Sequence, residues 1–260
     1  MAFDQKTAKL SDQRLETALG RYFFSRQKEL ILDLVAPRAG ERMLVLGFDT
    51  GNYIQLFREK GCSITGIDSA AERLSIARDK SGDGAKLLTD NLEELPFADD
   101  EFDVVLLIHS LELSGNPQKA LAEAIRVCRG RVFIGFLNKY SLVGTKQRLK
   151  ELFGLPLTAD VRFFSIDEIK SMVRGLIATP SIKWGSVIYF PAIVYSFFTE
   201  MEEMFPAVKN PMGAFAGLIF PVKYTYRTAQ NPLTESFKLE TEARRTAPEA
   251  VRGMLQEADK

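Results

Sequence analysis

Gly47 and Gly51, four residues apart, follow the wholly apolar run Met43-Leu44-Val45-Leu46, and an acid, Asp68, ends the next short run, Ser63 to Ile67. Bare backbone at a strand-to-helix turn lets a ligand approach closely. An acid about 20 residues further on is placed to grip a ribose diol. The residue between the glycines selects the ligand. A dinucleotide turn reads G-x-G-x-x-G, but here Asp49 stands at the middle position and Asn52 at the last. A carboxylate is repelled by a pyrophosphate, and no G-x-x-x-x-G-K-[ST] loop is present for a triphosphate. What fits is a nucleoside without phosphates, and Asp49 favours one that carries positive charge. His109, the single histidine, is the one base candidate near neutral pH. It reads either as a general base or as a packed or ligand-side ring. Glu112, three residues on, can orient it, although a surface carboxylate is the simpler reading.

These residues need a scaffold, and the chain between 43 and 137 supplies a regular one. Strands are expected near 43–47, 63–67, 85–89, 102–109 and 131–137, and helices near 52–60, 70–79 and 117–128. Such alternation implies a parallel sheet with helices on both faces. Its ligand lies over the C-terminal strand ends, at the point where strand order reverses. Gly47, Asp68, Asp90 and His109 all fall at such ends. Upstream, Ser11–Leu19 and Arg21–Ala36 read as two helices, the second with a stripe of Leu30, Ile31, Leu34 and Val35 and a stop at Pro37 and Gly40. Downstream, a helix is expected within Asn138–Phe153. Ser165 and Glu168 form a capping box before a helix at Asp167–Leu176. Ser181–Phe190 and Ala214–Tyr226 read as strands bridged by an amphipathic insertion, Pro191–Phe205.

A nucleoside with a cationic amine and a sulfonium is S-adenosylmethionine (SAM). The same residues resemble the class I SAM-dependent methyltransferases, of the small-molecule, type 11-like kind. The first motif, Asp68 after the second strand, Thr89-Asp90-Asn91 with Leu95-Pro96-Phe97 and Phe102-Asp103-Val104-Val105, and Ile108-His109-Ser110-Leu111-Glu112 follow that family's order. The likeness runs from about Arg14 to Lys183. It departs at Val45, where the family has an acid, and at Asp49, where it has a glycine. The resemblance implies a Rossmann-like, doubly wound, mostly parallel seven-stranded sheet with an antiparallel last strand, N-terminal helices and a helical insertion near the C-terminus. It implies SAM held by Gly47, Asp49, Thr50, Gly51, Asp68, Ser69, Asp90 or Asn91 at the adenine, Leu92 and His109, with Arg21 at the methionine carboxylate. Asp49 is expected to take over the missing acid's place near the methionine amine. Three segments follow: a helical cap at 1–40, a SAM-binding domain at 41–228 with its insertion at 191–212, and a polar tail at 229–260.

The implied reaction is methyl transfer to a small, partly apolar acceptor. The alternative is a protein that holds SAM or its demethylated product without turnover. Phe163, Phe164, Trp184, Tyr189, Tyr195, Phe197 and Phe198 read as an apolar lid or as ordinary packing, and the insertion also offers a greasy face for a homodimer. Lys+Arg and Asp+Glu are 34 each, without the basic excess that nucleic acid demands. No apolar run reaches the roughly 18 residues of a membrane span, and Met1–Leu10 is too polar for a signal peptide. Cys62 before a strand and Cys128 at a helix end suit a reduced, cytoplasmic chain and leave little for a soft metal.

Overall fold

Five short runs form the parallel half of one sheet: β1 (Arg42–Leu46), β2 (Ser63–Asp68), β3 (Ala85–Thr89), β4 (Phe102–Ile108) and β5 (Cys128–Leu137). The structure, a computed structural model, describes residues 15–47, 51–81, 84–141, 162–178, 180–189, 207 and 209–222. The expected helix in Asn138–Phe153, the insertion 191–205 and the tail 229–260 therefore lie wholly or mainly outside the described residues. Two further strands, β6 (Lys183–Val187) and β7 (Phe215–Pro221), complete a seven-stranded sheet in the order β3-β2-β1-β4-β5-β7-β6. β7 is antiparallel to both of its neighbours, as the expected final hairpin requires.

Alternation along each strand divides the core into two layers. Met43, Val45, Val104, Leu106 and Phe133 face α1 (Ala18–Val35), α2 (Asn52–Arg58) and α3 (Ala71–Ser81). Leu44, Leu46, Val105, Leu107 and Ile134 face α4 (Pro117–Arg126) and α5 (Ile166–Leu176). Residues Met43 to Leu46 are buried on both sides, which is why this run is apolar throughout.

The N-terminal segment differs from expectation. α1 runs unbroken through Gly20, so there is no helix junction at residues 19–21. Thr17 caps it, its hydroxyl accepting from the Gly20 N–H at 3.0 Å. Buried Phe23, Gln27, Leu30, Ile31 and Val35 recur at helical spacing and turn one face onto the sheet. The helix ends at Ala36, whose φ of 46° is left-handed, just before Pro37. A row of glycines receives this face. Gly135, Gly217 and Gly185 stand opposite one another across β5, β7 and β6. A Cβ at Gly217 would lie 3.0 Å from Leu34 Cδ1, and one at Gly185 would lie 3.1 Å from Leu30 Cδ1. The absent side chains form a trough that the two leucines fill.

Arg131 on β5 fixes the other end of α1. Its guanidinium donates to the Val35 and Ala36 carbonyls at 2.9 and 3.2 Å, and to both Glu41 oxygens at 2.8 and 2.9 Å. Burial raises the Glu41 carboxyl, but the Arg131 guanidinium and the Arg38 N–H outweigh it and hold the group below its ordinary value. A carboxyl depressed in the folded state contributes stability above its unfolded value, and that contribution is lost as pH falls through the folded one. The melting temperature should therefore hold from neutrality down to near pH 4.5, the unfolded value, and fall below it. Glu41→Gln should lower the plateau and flatten part of that fall in calorimetry. An equal acid slope in the variant would exclude this pair as a contributor.

α4 ends at Arg126, and Cys128 is the first residue of β5 rather than the end of the helix. The Arg126 side chain folds back onto Glu123, Asp99 and the Leu95 and Phe97 carbonyls, which terminates the helix there. Burial pushes the Cys128 thiol up to about 11. α5 opens with the expected capping box, Ser165 accepting from the Glu168 N–H and Glu168 from the Ser165 N–H.

Candidate active site

The strand registers bring the chemistry-bearing residues to one edge. Leu46 pairs with Ile67 and Leu107, Asp68 with Thr89, and Ile108 with Gly135. Gly47, Asp68, Asp90 and His109 thus stand at neighbouring strand ends. β1 lies between β2 and β4, where the order of strands reverses.

Gly47 leaves β1 with φ of 71°, and its N–H donates to the Ile67 carbonyl at 2.7 Å. The turn therefore starts against the end of β2. A Cβ there would meet Ser110 Oγ at 3.1 Å, and Ser110 itself donates to the Leu46 carbonyl at 2.6 Å. Gly51 starts α2 at φ of 87°, with Ala77 Cα of α3 3.2 Å from where a Cβ would be. Both glycines are needed, one for the hand of the turn beneath Ser110 and the other for the close pass of two helices. Asp49 and Thr50 lie outside the described residues.

Asp68 is buried at the end of β2. One carboxylate oxygen accepts the Ala70 N–H at 2.9 Å and the other the Arg73 guanidinium at 3.2 Å. Arg73, on the first turn of α3, is itself buried. Ser69 is exposed. After β3, Asp90 and Asn91 are both exposed; the Asp90 carboxylate accepts the Asn91 N–H at 2.7 Å and Asn91 Oδ1 the Glu93 N–H at 2.9 Å. Leu92 turns inward and packs with Ile67 and Leu95.

His109 leaves β4 with φ of 55°, and its ring lies 5.3 Å from that of Phe215. Glu112 is not the surface carboxylate that was the simpler reading. Its side chain is fully buried and its Oε1 lies 3.2 Å from His109 Nδ1. Arg21 is exposed on the first turn of α1 and donates to the Glu16 carbonyl. One helix further in, Tyr53 of α2 donates to Gln27 of α1 at 2.6 Å, tying the N-terminal helix to the one that follows the glycine turn. The aromatic lid does not hold for its described members: Phe163, Phe164 and Tyr189 are core residues, and Trp184 packs against the core beneath Lys170. Tyr195, Phe197 and Phe198 lie outside the described residues.

Three residues of this edge escape a reading of the sequence: Ser110, Arg73 and the burial of Glu112. Only Glu112 carried a signal, its spacing of three from His109.

Residues 44–134 match the family described as a methyltransferase domain. Over these residues the chain is similar to the SAM-dependent methyltransferases. A SAM-dependent methyltransferase of Thermotoga maritima superposes on this chain with a TM-score of 0.59 at 23% identity, covering 82% of this chain and 99% of that one, a likeness of fold. Among curated sequences, an uncharacterized protein of Methanocaldococcus jannaschii is 32% identical over 137 residues, 52% of this chain and 63% of its own length. A demethylmenaquinone methyltransferase of Renibacterium salmoninarum is 29% identical over 104 residues, 40% of this chain and 44% of its own. A malonyl-[acyl-carrier protein] O-methyltransferase of Pectobacterium atrosepticum is 29% identical over 108 residues, 42% of each chain. The chain thus spans between 42% and 63% of the length of these three curated relatives. Among the described residues, no helix is long and apolar enough to cross a membrane.

Proposed function

We propose that this chain transfers a methyl group from SAM to a small, partly apolar acceptor. The observation that carries this reading is the in-register edge at which Gly47, Asp68, Asp90 and His109 meet beside the reversal of strand order. When bound, SAM supplies a methyl carbon already activated by positive sulfur, so the protein has mainly to align the acceptor and exclude water. Asp68 takes the ribose hydroxyls. The Gly47 and Gly51 backbone and Thr50 cradle the nucleoside, and Ser69 lies beside the ribose. Asp90 or Asn91, with the backbone at Leu92, edges the adenine. Arg21 and Asp49 serve the methionine carboxylate and amine. His109 takes the acceptor's proton. The relatives named for demethylmenaquinone and for a malonyl-acyl carrier protein support a partly apolar acceptor without choosing its reacting atom.

Calorimetry with S-adenosylhomocysteine and with NAD tests the reading. Tight binding of the adenosyl compound is expected, and retention of NAD or indifference to adenosyl compounds would overturn the reading. Asp49→Asn should weaken SAM binding about tenfold, the worth of one charged contact near an amine. It should change S-adenosylhomocysteine binding by a similar factor, since both carry that amine. Unchanged affinities would remove Asp49 from the site. A second reading, binding without turnover, is favoured by Val45 and Asp49 at two family positions. Methyl release against a metabolite panel separates the two.

A further inference from the structure

Resting on the methyl-transfer reading, we propose that Glu112 is a positioning residue that fixes His109 in one tautomer, with its proton on Nδ1 and its lone pair on Nε2. Three observations carry this.

The first is the backbone. His109 has φ of 55°, a left-handed conformation unfavourable for a residue with a Cβ. It is held there by its N–H, which donates to the Gly135 carbonyl at 2.9 Å, and by the ring of Phe215. Strain of this kind persists where surrounding structure imposes it, and such places cluster at working sites.

The second is the oxygen that His109 meets. Glu112 Oε1 lies 3.2 Å from Nδ1 and also accepts the Leu137 N–H at 2.9 Å. Oε1 is therefore presenting lone pairs. The hydrogen between Oε1 and Nδ1 then belongs to the imidazole, and a neutral ring protonated at Nδ1 carries its lone pair on Nε2.

The third is the other oxygen. Oε2 is buried and has no hydrogen-bond partner among the described residues. A buried acceptor left in this way costs free energy, and the cost falls when positive charge appears beside it. An imidazolium at His109 is such a charge. As the acceptor atom bonds to the methyl carbon, its proton moves to Nε2, and the electron pair of the broken carbon–sulfur bond stays with the leaving thioether. Glu112 keeps its hydrogen bond to Nδ1 throughout and stabilises the imidazolium.

The test uses the single histidine of the chain, which gives one imidazole in a long-range 1H–15N spectrum of these 260 residues. At a pH where the ring is neutral, the Nδ1–H form should exceed the Nε2–H form by at least about tenfold, as a charge-assisted hydrogen bond to Oε1 would dictate. An unrestrained side chain favours the opposite form. Glu112→Gln retains an acceptor oxygen and should keep the Nδ1–H form. Glu112→Leu should lose the excess about tenfold or more. A wild-type ring in the Nε2–H form overturns the proposal whether or not the variants fold. So does a Glu112→Leu ring that stays Nδ1–H, as a merely structural carboxylate would leave it. The spectrum needs no cofactor, so failure here is distinct from failure to bind adenosyl compounds.

Discussion

Asp68→Ala is expected to weaken S-adenosylhomocysteine binding at least about 100-fold. Two hydrogen bonds from ribose hydroxyls to an ionised carboxylate contribute roughly 1.5 kcal/mol each at the low end, and about 3 kcal/mol is a factor near 100 in affinity. The same change has a second effect. Asp68 and Arg73 form an ion pair with side-chain exposures of 2% and 9%, so removing the acid takes from a buried guanidinium the carboxylate it pairs with. Breaking a buried pair in this way costs on the order of 3–5 kcal/mol, more than the pair contributes over an apolar replacement. The two effects can be separated. Asp68→Ala with Arg73→Met removes both charges and should recover most of the lost melting temperature while binding stays weak. Calorimetry and thermal melts on the three proteins decide the matter. An Asp68→Ala protein that binds within threefold of wild type would exclude the carboxylate from the ligand.

Gly185→Ala is expected to be a damaging single methyl in the sheet. The added Cβ would lie 2.5 Å from the Ala207 carbonyl oxygen, and that oxygen already accepts the Ser186 N–H at 2.8 Å. Backbone held on both sides cannot move aside cheaply, so a loss of about 3 kcal/mol is expected. That amounts to roughly a 6–12 °C drop in melting temperature for a domain of this size. Gly217→Ala, directly across the ladder, is the comparator. Its nearest neighbours are side-chain carbons of Leu34 and Phe133 at 3.0 Å, which can give by a few tenths of an ångström. A loss of about 1 kcal/mol is expected there. If the two variants melt together, or if Gly217→Ala is the worse, steric conflict with backbone is not what keeps residue 185 a glycine.

The parallel core was legible because burial on two faces leaves a local mark. Met43 to Leu46 has no polar residue, and the Ser165–Glu168 box states where α5 begins. The place of Asp68 at the end of β2 was legible for a similar reason, since it is set by the distance from a turn in the same stretch of chain. The features that escaped depend on partners far off in sequence. Glu112 looks like any surface acid until Leu137, 25 residues later, brings an N–H to it. The glycines at 135, 185 and 217 sit in three separate segments, and nothing local says that they will line up. Arg73 sits in a polar stretch at the start of a helix, where arginines usually face water. Gly20 misled in the other direction. A glycine between two helical stretches suggests a break, yet Thr17 satisfies its N–H and α1 continues through it.

The tie between Gln27 and Tyr53 bears on how small a working fragment can be. A piece cut at the recognised limits, 44 and 134, would include the glycine turn and Asp68 but lose α1, β6 and β7. Tyr53 would lose its buried acceptor, and β5 would present an open edge where β7 now pairs. An unpaired apolar edge invites association with other chains. Dissection of this protein should therefore begin no later than Thr17 and extend at least to Val222, beyond the segment that sequence comparison picks out.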